Sequence, residues 1–174
     1  MDYIYVGKFN GTHGLKGEIK FVTNFKYIDR ILAEGFNYYI GSNKNKENLL
    51  SYRNHNGIYL MKYKNLEDID LIKKYVNEKV YVLKDDLNLN NTEHVIEDYL
   101  NLECFYKEKS IGIVEDVIDA GNGNYILQVV RDKETLIPLN DHFIDKIDKN
   151  IIYIKNGEGL IDENWYTYFI SQYV

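Results

Sequence analysis

The chain has 174 residues, 45% of them hydrophobic and 14% aromatic, which is enough for packed cores in one domain or two small ones and excludes general disorder. Residues 1–84 hold 14 Lys and Arg against 9 Asp and Glu, a net +5, whereas residues 85–174 hold 7 against 18, a net −11. The basic half would attract RNA phosphates, and the acidic half would attract a basic protein. The alternative is that two ordinary solvated surfaces happen to differ in charge.

Cysteine usage and hydropathy indicate the cellular compartment in which the protein is expected. Cys104 is the single cysteine and lies in an apolar run, so it excludes an internal disulfide and fits a small buried side chain in a reducing compartment. No signal peptide is recognisable, and no apolar run approaches the roughly 18 residues that a membrane helix needs. We therefore expect a cytoplasmic protein.

The first predicted elements are two strands, 3–9 and 18–23, joined by a glycine-rich loop over Gly11–Glu18. Its three glycines, at a spacing of three, allow positive φ angles or a close approach of the backbone to a partner. A strand follows the loop, so no helix N-terminus is available to make it a phosphate cradle. The plain interpretation is a wide strand connection with solvated charges at its tip.

Four further strands, 36–40, 48–53, 58–63 and 79–83, complete the first half, with an Asn-Gly turn signal at residues 56–57. One helix is predicted between the last two of these strands, with Asn65 as its N-cap and an ion pair between Asp70 and Lys74. Asn77 is expected to follow the helix in the left-handed conformation, which asparagine tolerates. Several strands with one short helix predict a small closed barrel over residues 1–84.

A polar stretch over residues 85–97 is the predicted linker, because the charge changes sign there. Strands are predicted over 102–106, 111–119, 124–130, 134–138 and 151–154, within a second domain over 98–162. Residues 163–174 carry aromatic residues at helical spacing. We expect this tail to be a helix that packs on its own barrel, the alternative being a segment that docks on a partner.

Four motifs in this order resemble a known family. Its signature, Val-Gly-x-x-x-x-x-His-Gly-x-x-Gly-Glu, is matched by Val6, Gly7, His13, Gly14, Gly17 and Glu18. The others are Arg53-Asn54-His55-Asn56-Gly57, the helix and strand over 65–81, and the pair Leu136-Ile137-Pro138 and Glu158-Gly159-Leu160. Together they resemble the bacterial ribosome maturation factor RimM family, over nearly the whole chain except its last dozen or so residues.

The resemblance implies a mostly β protein with two small barrels: a six-stranded N-terminal barrel with one short helix, and a C-terminal PRC-type barrel. It also implies a factor that binds the free 30S ribosomal subunit and assists 16S rRNA processing and assembly of the subunit head. The first domain would approach head rRNA, and the second would contact head protein number nineteen of the small subunit. The residues assigned to the ribosome-facing loop are Gly11, Thr12, His13, Gly14, Lys16, Gly17, Glu18 and Arg53.

The second binding site departs from the family pattern. Where the family has two adjacent aromatic residues at the start of the PRC barrel, this chain has His94 and Val95, and the glycine that follows in the family is Asn101. Tyr99 is the nearby aromatic residue that would replace them. His94, Val95 and Tyr99 are therefore the predicted contacts with the partner protein, supported by the charge of −11.

Catalytic motifs are not found. The four histidines are scattered without a second ligand at metal-binding spacing, and no Walker loop, nucleophile elbow or zinc-type cysteine pair is present. We predict a non-catalytic monomer without cofactor or metal. The competing hypotheses are a double barrel that binds a small molecule, with the glycine loop as its lid, and a general protein-interaction module.

Overall fold

The computed structural model describes residues 2–121 and 123–161. The chain forms two compact units that divide between Leu89 and Asn90. In the described part of the chain, each unit contains six strands. Those of the first unit are β1 (Tyr3–His13), β2 (Glu18–Val22), β3 (Asn37–Ile40), β4 (Asn45–His55), β5 (Ile58–Tyr63) and β6 (Lys79–Leu83). Those of the second unit are β7 (Glu103–Tyr106), β8 (Lys109–Gly121), β9 (Asn124–Val130), β10 (Glu134–Pro138), β11 (Ile144–Asp148) and β12 (Ile151–Ile154). The predicted tail, 163–174, lies outside the described residues.

The first unit is a closed barrel with the strand order β1-β2-β5-β4-β3-β6. All six predicted strands are present, and β4 extends beyond its predicted bounds at both ends. In β2, Ile19 and Phe21 are fully buried, while Glu18 and Lys20, which alternate with them, are half-buried on the other face. This alternation is what a sheet with one face toward a core requires, so the mostly β class is confirmed.

Four aromatic side chains fill the interior of the first barrel, and all of them are fully buried: Phe9, Phe21, Tyr38 and Tyr63. They form a closed ring of edge-to-face contacts with centroid distances between 5.6 and 6.4 Å. The hydroxyl of Tyr38 donates a hydrogen bond to the carbonyl oxygen of Ile31 at 2.6 Å, and burial raises its pKa well above the usual range. The barrel interior is therefore a packed aromatic core.

The helical segments are shorter than predicted. Helix α2 spans only Ile69–Ile72 and continues as a 3-10 turn over Lys73–Tyr75. Its N-cap is Asp68, whose side chain accepts a hydrogen bond from the backbone N–H of Asp70, and not Asn65 as predicted, because Asn65 is in the left-handed conformation with φ +64°. Asp70 forms an ion pair with Lys73 at 2.6 Å, and not with Lys74 as predicted.

The end of the α2 segment agrees with the prediction, and the chain has a further short helix. Asn77 has φ +68°, so the predicted left-handed residue after the helix is confirmed. A second four-residue helix, α1 (Ile28–Ile31), was not predicted. Among the described residues, no helix is both long and apolar enough to cross a membrane.

The second unit is one six-stranded sheet in the order β10-β9-β8-β7-β12-β11, consistent with the expected PRC-type barrel. The five predicted strands are present, and β7 and β12 pair in parallel. The sheet encloses a separate core that includes Cys104, Val114, Leu127, Ile137 and Ile152. Burial raises the pKa of the Cys104 thiol to about 12, which leaves it protonated and unreactive.

Strand β11 was not predicted. Its apolar residues, Ile144 and Ile147, are three apart, and the pairing with β12 shifts register between Ile144 and Lys146. A shift of this kind interrupts the alternation by which strands are recognised in a sequence.

The predicted linker, 85–97, includes most of one 3-10 turn, Lys84–Leu87, and the start of another, Ile96–Tyr99. Leu87 is buried, and Arg30 Nη1 donates hydrogen bonds of 2.8 Å to the carbonyl oxygens of Leu87 and Asn88. The beginning of this stretch is therefore attached to the first unit.

The turn between β7 and β8 provides a stability test. Both of its central residues, Lys107 and Glu108, have positive φ angles, of 46° and 64°. A non-glycine residue in this region costs about 1 kcal/mol, and such two-residue turns favour glycine. We expect Glu108→Gly to stabilise the second unit by about 0.5 kcal/mol, measured as a higher urea midpoint. The same change at Glu115, inside β8, should lower the midpoint; a lower midpoint for Glu108→Gly would contradict the interpretation.

Candidate functional site

The loop between β1 and β2 is held in place by close backbone contacts. The backbone N–H of Ile69, the first residue of α2, donates a hydrogen bond to the carbonyl oxygen of Leu15 at 3.2 Å. Gly17 is buried at φ +68°, and a Cβ there would lie 2.7 Å from the Cα of Glu67 and closer still to the carbonyl oxygen of Leu66. Only glycine fits between the loop and the segment before α2.

The other two glycines have a different role. Gly14, at φ +65°, and Gly11, at φ +86°, would each have open space around an added Cβ. Gly11 lies at the register shift between Phe9 and Thr12, where β1 bends before it pairs again with β2. Gly11 and Gly14 are therefore needed for their positive φ angles, whereas Gly17 is needed because the loop backbone passes close to the backbone of Leu66 and Glu67.

The tip of the loop is exposed. Gly14, Leu15 and Lys16 are all exposed, and 76% of Leu15 is accessible to solvent. Thr12, by contrast, is half-buried opposite Ile19 in the β1–β2 pairing. An apolar side chain followed directly by a cation is thus presented to solvent at the point where the two strands end.

The strand register brings the two distant motifs together on the outer face of the barrel. Glu18 lies opposite His13 across β1 and β2, and the row Lys20–Leu60–Arg53 crosses β2, β5 and β4. Residues two apart on one strand share a face. We call the face defined by His13, Glu18, Lys20, Arg53 and His55 the motif face.

Direct contacts connect the motif face. Arg53 donates two hydrogen bonds to Glu18, from Nε to Oε1 and from Nη2 to Oε2, each 2.8 Å long. The rings of His13 and His55 have centroids 5.3 Å apart. A carboxylate–guanidinium pair with two parallel hydrogen bonds fixes both planes, so the β4–β5 hairpin is locked to the base of the glycine loop.

The electrostatics of the motif face favour an anionic partner. The hydrogen bonds from Arg53 hold the pKa of Glu18 below its ordinary value, aided by the nearby charges of Lys62 and His13. The one carboxylate is therefore ionised and already paired with Arg53, while Lys20 and Lys62 add further positive charge. The balance of the face is positive.

The Glu18–Arg53 pair leads to a prediction about pH. We expect Arg53→Gln to raise the pKa of Glu18 toward 4.5, followed by NMR titration of the side-chain carboxyl carbon. Because the folded-state pKa is the lower one, the pair stabilises the fold above about pH 4.5, and this contribution is lost as the pH falls through the lowered pKa. The control is Glu158 in the second unit, which pairs with Lys107 at 3.1 Å and whose lowered pKa, about 2, should not change. An unchanged Glu18 would show that Arg53 is not its principal partner in solution.

The residues predicted to contact a partner protein lie at the start of the second unit. The rings of His94 and Tyr99 are in tilted contact with centroids 5.8 Å apart, and both residues are half-buried. Val95 is only 3% exposed, and its backbone N–H donates a hydrogen bond to Asp98 at 3.1 Å. Of the three, His94 and Tyr99 reach the surface, and Val95 anchors the 3-10 turn.

Sequence reasoning missed two parts of this site. It did not assign His55 to the site, although its position two residues after Arg53, on the same face of an extended strand, was a usable signal. It also missed the role of Leu66 and Glu67 in holding Gly17, for which no local signal exists because the contact joins residues about 50 positions apart. In residues 2–121 and 123–161, no three His, Cys, Asp or Glu side chains are grouped so that they could hold a metal ion.

Comparisons with known proteins agree with the motifs. The family model described as the RimM N-terminal domain matches residues 4–87. A ribosome maturation factor RimM from Petrotoga mobilis is 33% identical, covering 91% of this chain and 94% of its own, and one from Lactobacillus johnsonii is 30% identical, covering 94% and 99%. A crystal structure of a RimM protein from Pseudomonas aeruginosa shares 17% identity, covers 88% of this chain and 97% of its own, and has a TM-score of 0.45. Because the family model matches residues 4–87 and relatives at 30% and 33% identity cover more than nine-tenths of its length, the chain belongs to the RimM family.

Proposed function

We propose that this protein is a non-catalytic, monomeric ribosome maturation factor that acts in the cytoplasm, binds the free 30S subunit, and assists 16S rRNA processing and assembly of the subunit head. The observation that carries the proposal is the convergence of two sequence motifs on the motif face, through the Glu18–Arg53 and His13–His55 contacts. Membership of the RimM family supports it, because the relatives are named as ribosome maturation factors.

The proposed role of the first unit is to bring the glycine loop and Arg53 to head rRNA. The unit has 14 Lys and Arg against 11 Asp and Glu, a net +3. This charge and the positive motif face are suited to phosphates, and Lys16 extends the positive charge to the exposed loop tip. A rigid loop keeps these cations in place before binding, so less conformational entropy is lost when the complex forms.

Co-sedimentation with purified 30S subunits tests this role. We expect Lys16→Gln to weaken binding several-fold and to reduce the slope of log affinity against log salt by about 1, since one phosphate contact is lost. Lys133→Gln is the matched control: it makes the same change of charge at an exposed turn of the second unit and should leave binding unchanged. Equal affinities for Lys16→Gln and the unmodified chain would contradict the assignment of the loop.

The proposed role of the second unit is to bind head protein number nineteen of the small subunit. The support is the net charge of −9 that this unit carries and the His94–Tyr99 pair, which would replace the aromatic anchor implied by the family pattern. In a pull-down with the purified head protein, charge complementarity predicts binding that falls as salt rises. Binding that is insensitive to salt would instead indicate an apolar anchor.

The cellular test is the profile of 16S rRNA precursors. Cells that lack this protein should accumulate unprocessed 16S precursor, and the protein should cofractionate with immature small subunits in a sucrose gradient. A normal precursor profile together with no cofractionation would instead favour a small-molecule-binding protein or a general interaction module.

A further inference from the structure

A second surface of the first barrel combines aromatic rings with lysines and is not part of the motif face. Tyr5, Tyr81 and Tyr39 lie side by side in register across β1, β6 and β3. Tyr3 lies two residues before Tyr5 on the same face, and its ring contacts that of Tyr39 at 5.1 Å. Tyr5 is 46% exposed and meets Tyr81 edge to face at 5.9 Å. We call these four residues, with Lys44, Lys46 and Lys79, the tyrosine face.

The lysines of the tyrosine face are held against its rings. Lys44 Nζ lies 3.5 Å from the ring centroid of Tyr81 and 5.7 Å from that of Tyr3. Lys79 Nζ lies 5.9 Å from the ring centroid of Tyr5. A cation above an aromatic ring is attracted by the negative charge of the ring face, so these long side chains are held in place before any ligand arrives.

The third lysine continues the row. Lys46 on β4 is the register partner of Tyr39, so one row crosses four strands from Tyr5 to Lys46. The acidic groups close to this surface are Asp86, near the Tyr39 hydroxyl, and Glu78, beside Gly41. Three cations against two carboxylates leave the face positive, and the exposed Tyr5 ring adjoins this charge.

A flat sheet surface that offers an aromatic ring between lysines is suited to one class of ligand. Single-stranded RNA presents unstacked bases that stack on tyrosine and phosphates that pair with lysine. A duplex keeps its bases stacked inside, and an apolar peptide would leave the lysines without counter-charges. We propose that the tyrosine face binds single-stranded RNA, with Tyr5 stacking on a base and Lys44, Lys46 and Lys79 contacting phosphates.

This proposed site goes beyond the proposed function, because it requires no ribosomal subunit and uses different residues. The motif face lies on β2, β5 and the C-terminal ends of β1 and β4, whereas the tyrosine face lies on β6, β3 and the N-terminal ends of β1 and β4. Each face therefore has its own test, and the loss of one interaction does not predict the loss of the other.

The experiment uses the full chain and a fluorescein-labelled single-stranded oligouridylate of about eight nucleotides, followed by fluorescence anisotropy. We expect Tyr5→Thr to weaken binding about tenfold, the value of one base stack. The matched control is Tyr52→Thr: Tyr52 is 45% exposed on β4 and also has an edge-to-face tyrosine neighbour, Tyr59, at 6.3 Å. Its replacement should leave the affinity unchanged.

Two further variants separate the contributions of ring and charge. Tyr5→Phe keeps the ring and should bind within about twofold of the unmodified chain, since stacking needs no hydroxyl group. Lys79→Gln should reduce the salt slope by about 0.7, the value for one phosphate contact on a single strand.

The proposal is overturned by any of three results. The oligouridylate does not bind at low salt; a duplex of equal length binds as tightly as the single strand; or Tyr5→Thr and Tyr52→Thr lose the same affinity. Since none of these measurements contains 30S subunits, a negative result here would leave the outcome for Lys16→Gln untouched. Conversely, a finding that 30S binding depends on Lys16 would not support RNA binding by the tyrosine face.

Discussion

Gly17→Ala is expected to destabilise the first unit by roughly 3 kcal/mol, whereas Gly14→Ala should cost about 1 kcal/mol. The two glycines are three residues apart in one loop and have nearly the same φ angle, +68° and +65°. They therefore share the conformational strain that a Cβ introduces. They differ in their surroundings, because only at Gly17 does the added atom meet the backbone of Leu66 and Glu67.

Backbone atoms have no alternative rotamer, so the loop itself must move. This movement would break the hydrogen bond between the Ile69 N–H and the Leu15 carbonyl and displace Lys16 from its position. The same variant should therefore lose 30S binding by a larger factor than Lys16→Gln does, because it removes the geometry of the loop as well as one charge.

Urea unfolding of the two variants measures the difference directly, since both carry the same added methyl group. The Gly14 variant is the control, because it carries only the strain of a positive φ angle. The additional loss of stability in the Gly17 variant then measures the contact between the added Cβ and the backbone of Leu66 and Glu67. Similar midpoints for the two variants would show that the loop does not pack tightly against the segment before α2 in solution.

The sequence predicted the first barrel well because its signals are local. Ile19 and Phe21 alternate with charged residues, and the Asn-Gly pair at 56–57 marks the hairpin, so each element is readable within a few positions. The prediction for α2 was poorer. Apolar residues at Leu66, Ile69 and Ile72 suggest a longer helix, but Asn65 adopts the left-handed conformation and the helix cannot begin until the Asp68 cap.

The two proposed binding faces depend on strand register, which the sequence does not reveal. The Gly11–Glu18 loop and Arg53 were assigned together because of the loop's glycines and the net +5 of residues 1–84. Their ion pair, between Glu18 and Arg53, requires β5 to lie between β2 and β4. Likewise, 17 tyrosines indicate sheets and interfaces without saying which rings become neighbours. Tyr5 and Tyr81 are 76 positions apart, and only closure of the barrel between β1 and β6 brings them together.

Phe9→Ala is expected to have the largest effect on stability, a loss of about 4 kcal/mol from the first unit. Phe9 is fully buried and contacts both Phe21 and Tyr63, so its removal opens the aromatic ring of the core at two points. A loss of this size is comparable with the whole stability of a small domain. The first unit should then be largely unfolded near physiological temperature.

The separate cores of the two units make this loss local. Within the described residues, the buried cluster of the second unit is built from side chains between Cys104 and Ile154. Hydrogen exchange on Phe9→Ala should therefore show fast exchange of the β1–β6 amides and near-normal protection in β7–β12. Phe25→Ala is the control: Phe25 is half-buried with an edge-to-face neighbour, Tyr27, at 5.9 Å, and its replacement should cost roughly 1 kcal/mol. Loss of protection in both units would show that their stabilities are coupled, and binding by the acidic half would then depend on the aromatic core of the basic one.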